Sequence, residues 1–189
     1  MRILIAGVLG GIAMFIWASI DHVATPLAAI GLQALPGGDA TVSALHDRLG
    51  DKHGLYFFPY MDAHGSNAMA AQAEKLKTSP HGILVYNPPG GTGMSPGQLG
   101  VELALEVIES ILTALLLAAA TAFAPRLIMA VAIGVIAAMA TNFSYWNWYG
   151  FSLDYTLANA FTELVKFVVA GVVIALVLGW RRNRWRVRP

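Results

Sequence analysis

Residues 95–124 read SPGQLGVELALEVIESILTALLLAAATAFA. After its Ser-Pro-Gly-Gln start the stretch is apolar apart from a few small hydroxyl residues and Glu102, Glu106 and Glu109. At 100° per residue these carboxylates fall within about 60° of one another, on one helix face. A helix of this length crosses a hydrocarbon core of about 30 Å. Ionisable groups on a span are costly, so they mark a candidate functional site. Ser95 and Gln98 have capping-box spacing and Pro96 suits the first helical position, so this helix is expected to begin near residue 96.

Three further apolar runs flank it, Ile3–Ile20, Leu127–Tyr145 and Leu157–Trp180. The last repeats the pattern, with Asn159, Glu163 and Lys166 on one face. Only 12% of the 189 residues are charged, about half the share of a soluble domain, and the mean hydropathy is +0.60. The reading is an all-α transmembrane bundle of four spans with a small α/β insert between spans one and two. There is no cysteine, which excludes disulfides and thiolate metal sites.

Arg2, Arg126 and the tail residues Arg181, Arg182, Arg184, Arg186 and Arg188 flank one side of the spans, which places both termini and the turn at Ala124-Pro125-Arg126 in the cytoplasm. Residues 21–95 then face outward, in the periplasm if the membrane is a bacterial inner membrane. The first run has no small-x-small cleavage site after it and reads as an anchor rather than a removed signal peptide. The arginine tail reads as a topology determinant, so nucleic acid is not an expected partner. Trp146, Trp148, Tyr149 and Phe151 at one edge, and Trp180 and Trp185 at the other, suit interfacial aromatic belts. The expected segments are spans at 1–20, 96–124, 126–145 and 154–180, the insert at 21–95, an aromatic loop at 146–153 and a basic tail at 181–189.

Small-residue faces recur at Gly7-Val8-Leu9-Gly10-Gly11, at Ala130, Gly134 and Ala138, and at Gly171, Ala175 and Gly179, the pattern of close helix packing. In the insert, a helix over 40–49 capped by Asp39, a strand over 55–60, a helix over 66–79 and a strand over 82–87 are expected. A parallel pairing of the strands would require a right-handed crossover.

Depth along the spans sharpens the polar pattern. From starts near 96 and 154, Glu102, Glu106 and Glu109 lie about 9, 15 and 20 Å down, and Asn159, Glu163 and Lys166 about 8, 14 and 18 Å. The ladders match rung for rung, with Glu109 opposite Lys166. Asn142 on span three, and Asp21 and His22 at the end of span one, reach a similar depth. All nine residues are candidates for one outward-facing polar layer that binds a ligand or proton. Its plainer reading is a Glu109–Lys166 ion pair fixing helix register.

Metal signals are weak. His22 near the carboxylates, and Asp62, His64 and His81 in the insert, are the candidates worth testing, and no HExxH or Glu-x-x-His element stands on a span. The Pro88-Pro89-Gly90-Gly91-Thr92-Gly93 loop lacks the Gly-Lys-Ser/Thr of a phosphate loop, and no nucleophile elbow appears, so no cofactor is expected. The functional expectation is a non-catalytic inner-membrane component, an accessory subunit or envelope protein. Besides the lipid bilayer it would bind a protein partner, a second copy of itself or a ligand through the insert and the polar layer. The alternatives are a small proton- or cation-coupled transporter and an intramembrane enzyme or metal-binding protein.

Overall fold

The computed structural model describes residues 1–60, 67–91 and 93–179. The chain divides into two units, Met1–Leu32 with Met94–Pro189, and Gln33–Gly93. The first is helical: α1 (Arg2–Ala24), α4 (Pro96–Leu117), α5 (Phe123–Ala138), α6 (Ser144–Tyr149) and α7 (Leu153–Gly179). The second holds α2 (Gly38–Leu49), β1 (Gly54–Phe58), α3 (Ala68–Thr78) and β2 (Gly82–Tyr86). Three helical segments are long and apolar enough to cross a membrane: Arg2–Ala24, Phe123–Tyr149 and Leu153–Gly179. Their composition is compatible with a membrane protein. α4, with its three glutamates, is not among them.

Within the helical unit α1 packs along both α4 and α7, α5 packs along α7, and α4 meets α7 and α5 more sparingly. The seams are made by small residues. A Cβ on Gly7 would stand 2.6 Å from the Ile111 Cα, and one on Gly11 would stand 2.5 Å from the Val107 Cα, so α1 and α4 meet nearly backbone to backbone. On the other side of α7, Gly171 lies against Ala130 and Gly134 against Leu164 and Phe167. The buried core alternates alanines with larger side chains: Ala6, Ala114, Ala130 and Ala170 with Met14, Leu117, Phe167 and Ile174. Close approach and van der Waals contact, the usual cohesion of helices in lipid, account for this choice of residues. Leucine and isoleucine line the outer surface instead, at Leu4, Leu9, Ile12 and Ile16 on α1 and at Leu105, Ile108, Leu112 and Leu115 on α4.

Local chemistry fixes the helix ends. Ser95 Oγ accepts from the Gln98 N–H at 3.2 Å and Gln98 Oε1 accepts from the Ser95 N–H at 2.8 Å, a complete capping box with Pro96 at the first turn. Ser152 Oγ accepts from the Tyr155 N–H at 3.3 Å at the head of α7. At the opposite end, Arg2 Nη2 donates to the Val177 and Leu178 carbonyls at 2.9 Å each. Arg126, buried, donates to the Leu117, Ala120 and Ala175 carbonyls, so it ties the ends of α4 and α7 to the start of α5.

Several details differ from expectation. Ala124-Pro125-Arg126 is not a turn: α5 begins at Phe123, and the connection runs through residues 118–122. Proline is tolerated in a first helical turn because the N–H it lacks would have no intrahelical partner there. The apolar segment Phe123–Tyr149 is not uniformly α-helical either, since Met139–Phe143 is π-helical before α6 continues. In the smaller unit α2 starts at Gly38 with Gly37 as its cap (φ +81°) rather than with Asp39. The strands pair antiparallel, with Leu55 opposite Val85 and Phe57 opposite Ile83, so no parallel crossover exists. The basic tail, Trp180 and Trp185 lie outside the described residues.

Candidate functional site

Lys166 occupies the centre of the site. It sits midway along α7, with a side chain only 11% exposed. Its Nζ lies 3.3 Å from Glu163 Oε2 one turn earlier on α7, 3.5 Å from Glu109 Oε2 and 3.8 Å from Glu106 Oε1 on α4. The expected one-to-one ladder is thus corrected. One ammonium serves three carboxylates, because Glu106 and Glu109 are neighbours at helical spacing and both turn toward α7. The carboxylates are graded in exposure: the Glu106 side chain is 1% accessible, that of Glu163 25% and that of Glu109 42%. Glu102, one turn before Glu106, is exposed.

The buried polar atoms on the α4 side of the cluster lack hydrogen bonds. Both carboxylate oxygens of Glu106 and Oε2 of Glu109 are inaccessible and accept none. Ser110 Oγ, one turn beyond Glu106, is also inaccessible and without a hydrogen bond, and it lies against Gly10 of α1. Ionised carboxylates are acceptors only, so such burial is unusual and calls for a physical account. α1 forms the neighbouring wall: Trp17 Nε1 donates to the Thr162 carbonyl at 3.2 Å, beside Glu163.

The remaining expected members of the polar layer make bonds of their own. Asn142 Nδ2 donates to the Ala138 carbonyl at 3.3 Å and to Thr141 Oγ1 at 3.0 Å, and Asn159 Nδ2 donates to the Tyr155 carbonyl at 2.9 Å. Both amides are occupied by the preceding turn, the local bonding that polar side chains in helices often adopt. Asp21 is buried and accepts from Thr25 Oγ1 at 3.1 Å. Exposed His22 has Nδ1 3.0 Å from the Ala18 carbonyl and 3.9 Å from Asp21 Oδ2. These two residues close the end of α1. The site therefore reduces to Glu106, Glu109, Glu163 and Lys166, with Glu102 at its rim.

Among the described residues no three histidine, aspartate or glutamate side chains are disposed to hold a metal ion. His81 is exposed, and Asp62 and His64 lie outside the described residues. Ser110, Thr113 and Thr156 are buried polar groups that sequence reasoning passed over. Ser110 stood four residues from Glu106, on the same face, and that spacing was the available signal.

A separate cavity of about 350 Å³ lies at the head of α7, lined by Gly31, Leu32, Phe151, Ser152 and Tyr155. Gly31 has φ +79°, and a Cβ there would stand 2.5 Å from the Tyr155 nitrogen. Phe151 is flanked by Tyr145 at 5.4 Å and Tyr155 at 5.5 Å between ring centroids. Tyr155 is about 12 Å along the helix from Glu163, so this aromatic cavity is not the carboxylate site.

No protein-family model, curated protein or solved structure matches this chain.

Proposed function

We propose that the chain is a four-span integral membrane protein acting as a non-catalytic component of a membrane assembly, an accessory subunit or envelope protein. In this reading α4 crosses the membrane as well, as the second of four spans. Its outer face offers lipid Leu105, Ile108, Leu112, Leu115 and Leu116, while Glu106, Ser110 and Thr113 are buried. With both ends in the cytoplasm, the unit Gln33–Gly93 faces outward, into the periplasm of a bacterial inner membrane.

The observation that carries the partner-binding role is the poor core of that unit. Of its described residues only Tyr86 is buried, held where its hydroxyl donates to the Gly50 carbonyl at 2.9 Å and lies 3.0 Å from His46 Nδ1. α2 and α3 bury nothing, and Leu55 and Val85, paired across the sheet, are 69% and 68% exposed. A two-stranded sheet is marginal without a packed face, so this surface suits a protein partner or a second copy.

A photo-reactive side chain placed at Leu55 or at Val85 in cells tests the role. Covalent capture of one defined protein, or of a second copy, from both positions is expected. Products confined to lipid and to the chain itself would remove the reading.

One observation favours a second reading, a small proton- or cation-coupled carrier: the carboxylates outnumber the ammonium beside them, and Glu106 is inaccessible. Against it, α4 and α7 run without a break through the site, unlike the interrupted helices of many carriers. Proton or cation flux into liposomes unaffected by Glu109→Gln and Lys166→Met would exclude a carrier that works through these residues.

A further inference from the structure

The charges between α4 and α7 do not balance. Glu106, Glu109 and Glu163 all lie within 3.8 Å of one ammonium, and the described residues bring no second cation to them. Carboxylates gathered on one nitrogen repel one another, the more so where water is excluded. The hydrogen-bond shortfall points the same way. An ammonium has three hydrogens, yet neither oxygen of Glu106 receives a hydrogen bond. Two carboxylates sharing one site commonly relieve such crowding with one proton between them.

We infer that this cluster holds at least one exchangeable proton at neutral pH, shared among Glu106, Glu109 and Glu163, with Lys166 remaining charged. The inference deepens the proposed function and rests on its reading of α4 and α7 as packed together in an apolar layer. Binding is the simple addition of a proton from water to a carboxylate oxygen, giving a carboxylic acid that becomes a hydrogen-bond donor. Deprotonation returns it to water, and no other reactant is involved.

A proton fits better than a metal ion. Lys166 Nζ already stands at the point the carboxylates share, and a second cation there would meet its charge at ion-pair distance. The exposure gradient supplies a route: protons arrive at Glu109 or Glu163 and pass inward to Glu106. The other titratable groups on the surrounding helices leave the balance unchanged. α4 adds exposed Glu102, a further carboxylate. α7 adds Asp154 and Tyr155 at its head. α1 adds only Arg2 at one end and Asp21 with His22 at the other. α5 adds Arg126, bound to carbonyls at the far end of α4, and α6 adds Tyr145 and Tyr149.

Infrared spectroscopy of the full chain in lipid nanodiscs at neutral pH reads the proton directly, through the deuterium-sensitive C=O stretch of a carboxylic acid. The wild type is expected to show this band, Glu106→Gln to lose it, and exposed-rim Glu102→Gln to keep it. Lys166→Met, which leaves the carboxylates without their ammonium, is expected to enlarge it. Circular dichroism confirms folding of each variant, and Glu109→Gln, which removes one of the crowded charges, weakens the band even if Glu106→Gln does not fold. Absence of the band in the wild type at neutral pH overturns the inference. So does its disappearance on adding sodium or calcium, which would make the occupant a metal cation. The spectrum reports protonation whichever side of the membrane the C-terminus occupies, so its outcome is separable from that of the four-span reading.

Discussion

Lys166 is the residue on which the cluster depends. It is nearly buried and within ion-pair distance of two glutamates on α4 and one on its own helix. Removing one partner from a buried ionic group leaves the others uncompensated, a loss of about 3–5 kcal/mol. Lys166→Met is therefore expected to destabilise the helical unit by about that much in a reversible unfolding assay in bicelles. An unfolding free energy within about 1 kcal/mol of wild type would reduce Lys166 to a bystander. At this scale the sequence was informative about identity and poor about geometry. Counting turns from two caps brought the right residues to one depth. It paired Lys166 with Glu109 alone, because depth says nothing of how each helix is rotated. Asn142 and Asn159 looked like further members for the same reason, and their bonds to the preceding turn are invisible to a depth count.

Among the elements, α4 shows how local chemistry and composition pull apart. Its start was legible because a capping box lies within four consecutive residues and needs no tertiary contact to form. Ser95→Ala is expected to cost about 1 kcal/mol and to speed amide exchange in the first turn, at Gly97 and Gln98, while the middle of α4 exchanges as before. Unchanged exchange at those amides would show that the cap does not hold the helix start. The small-residue seams were equally legible, since glycine spacing alone announces close approach, and α1 meets α4 at Gly7 and Gly11. Three features were not readable. The π-helical stretch at Met139–Phe143 departs from the regular period without a proline or glycine to mark it. The first turn of α5 absorbs Pro125 where a proline suggested a break. The antiparallel strand pairing depends on how residues 59–81 return the chain, which strand patterning does not encode.

For the whole molecule, mostly helical structure with three helical segments long and apolar enough to cross a membrane, and a two-stranded sheet, accounts for the composition. The proposed four-span topology has α4 cross the membrane despite its glutamates, because Glu106 and Glu109 turn toward Lys166 and leave leucine and isoleucine facing lipid. Span count fixes the parity of the termini. Four spans put residue 39 and the basic tail on opposite faces of the membrane; three spans, with α4 outside, put them on the same face. The chain has no cysteine, so single replacements report cleanly. In sealed, right-side-out vesicles a membrane-impermeant thiol reagent is expected to label Asp39→Cys directly, and Val187→Cys only after permeabilisation. Direct labelling of both positions would mean that α4 does not cross the membrane.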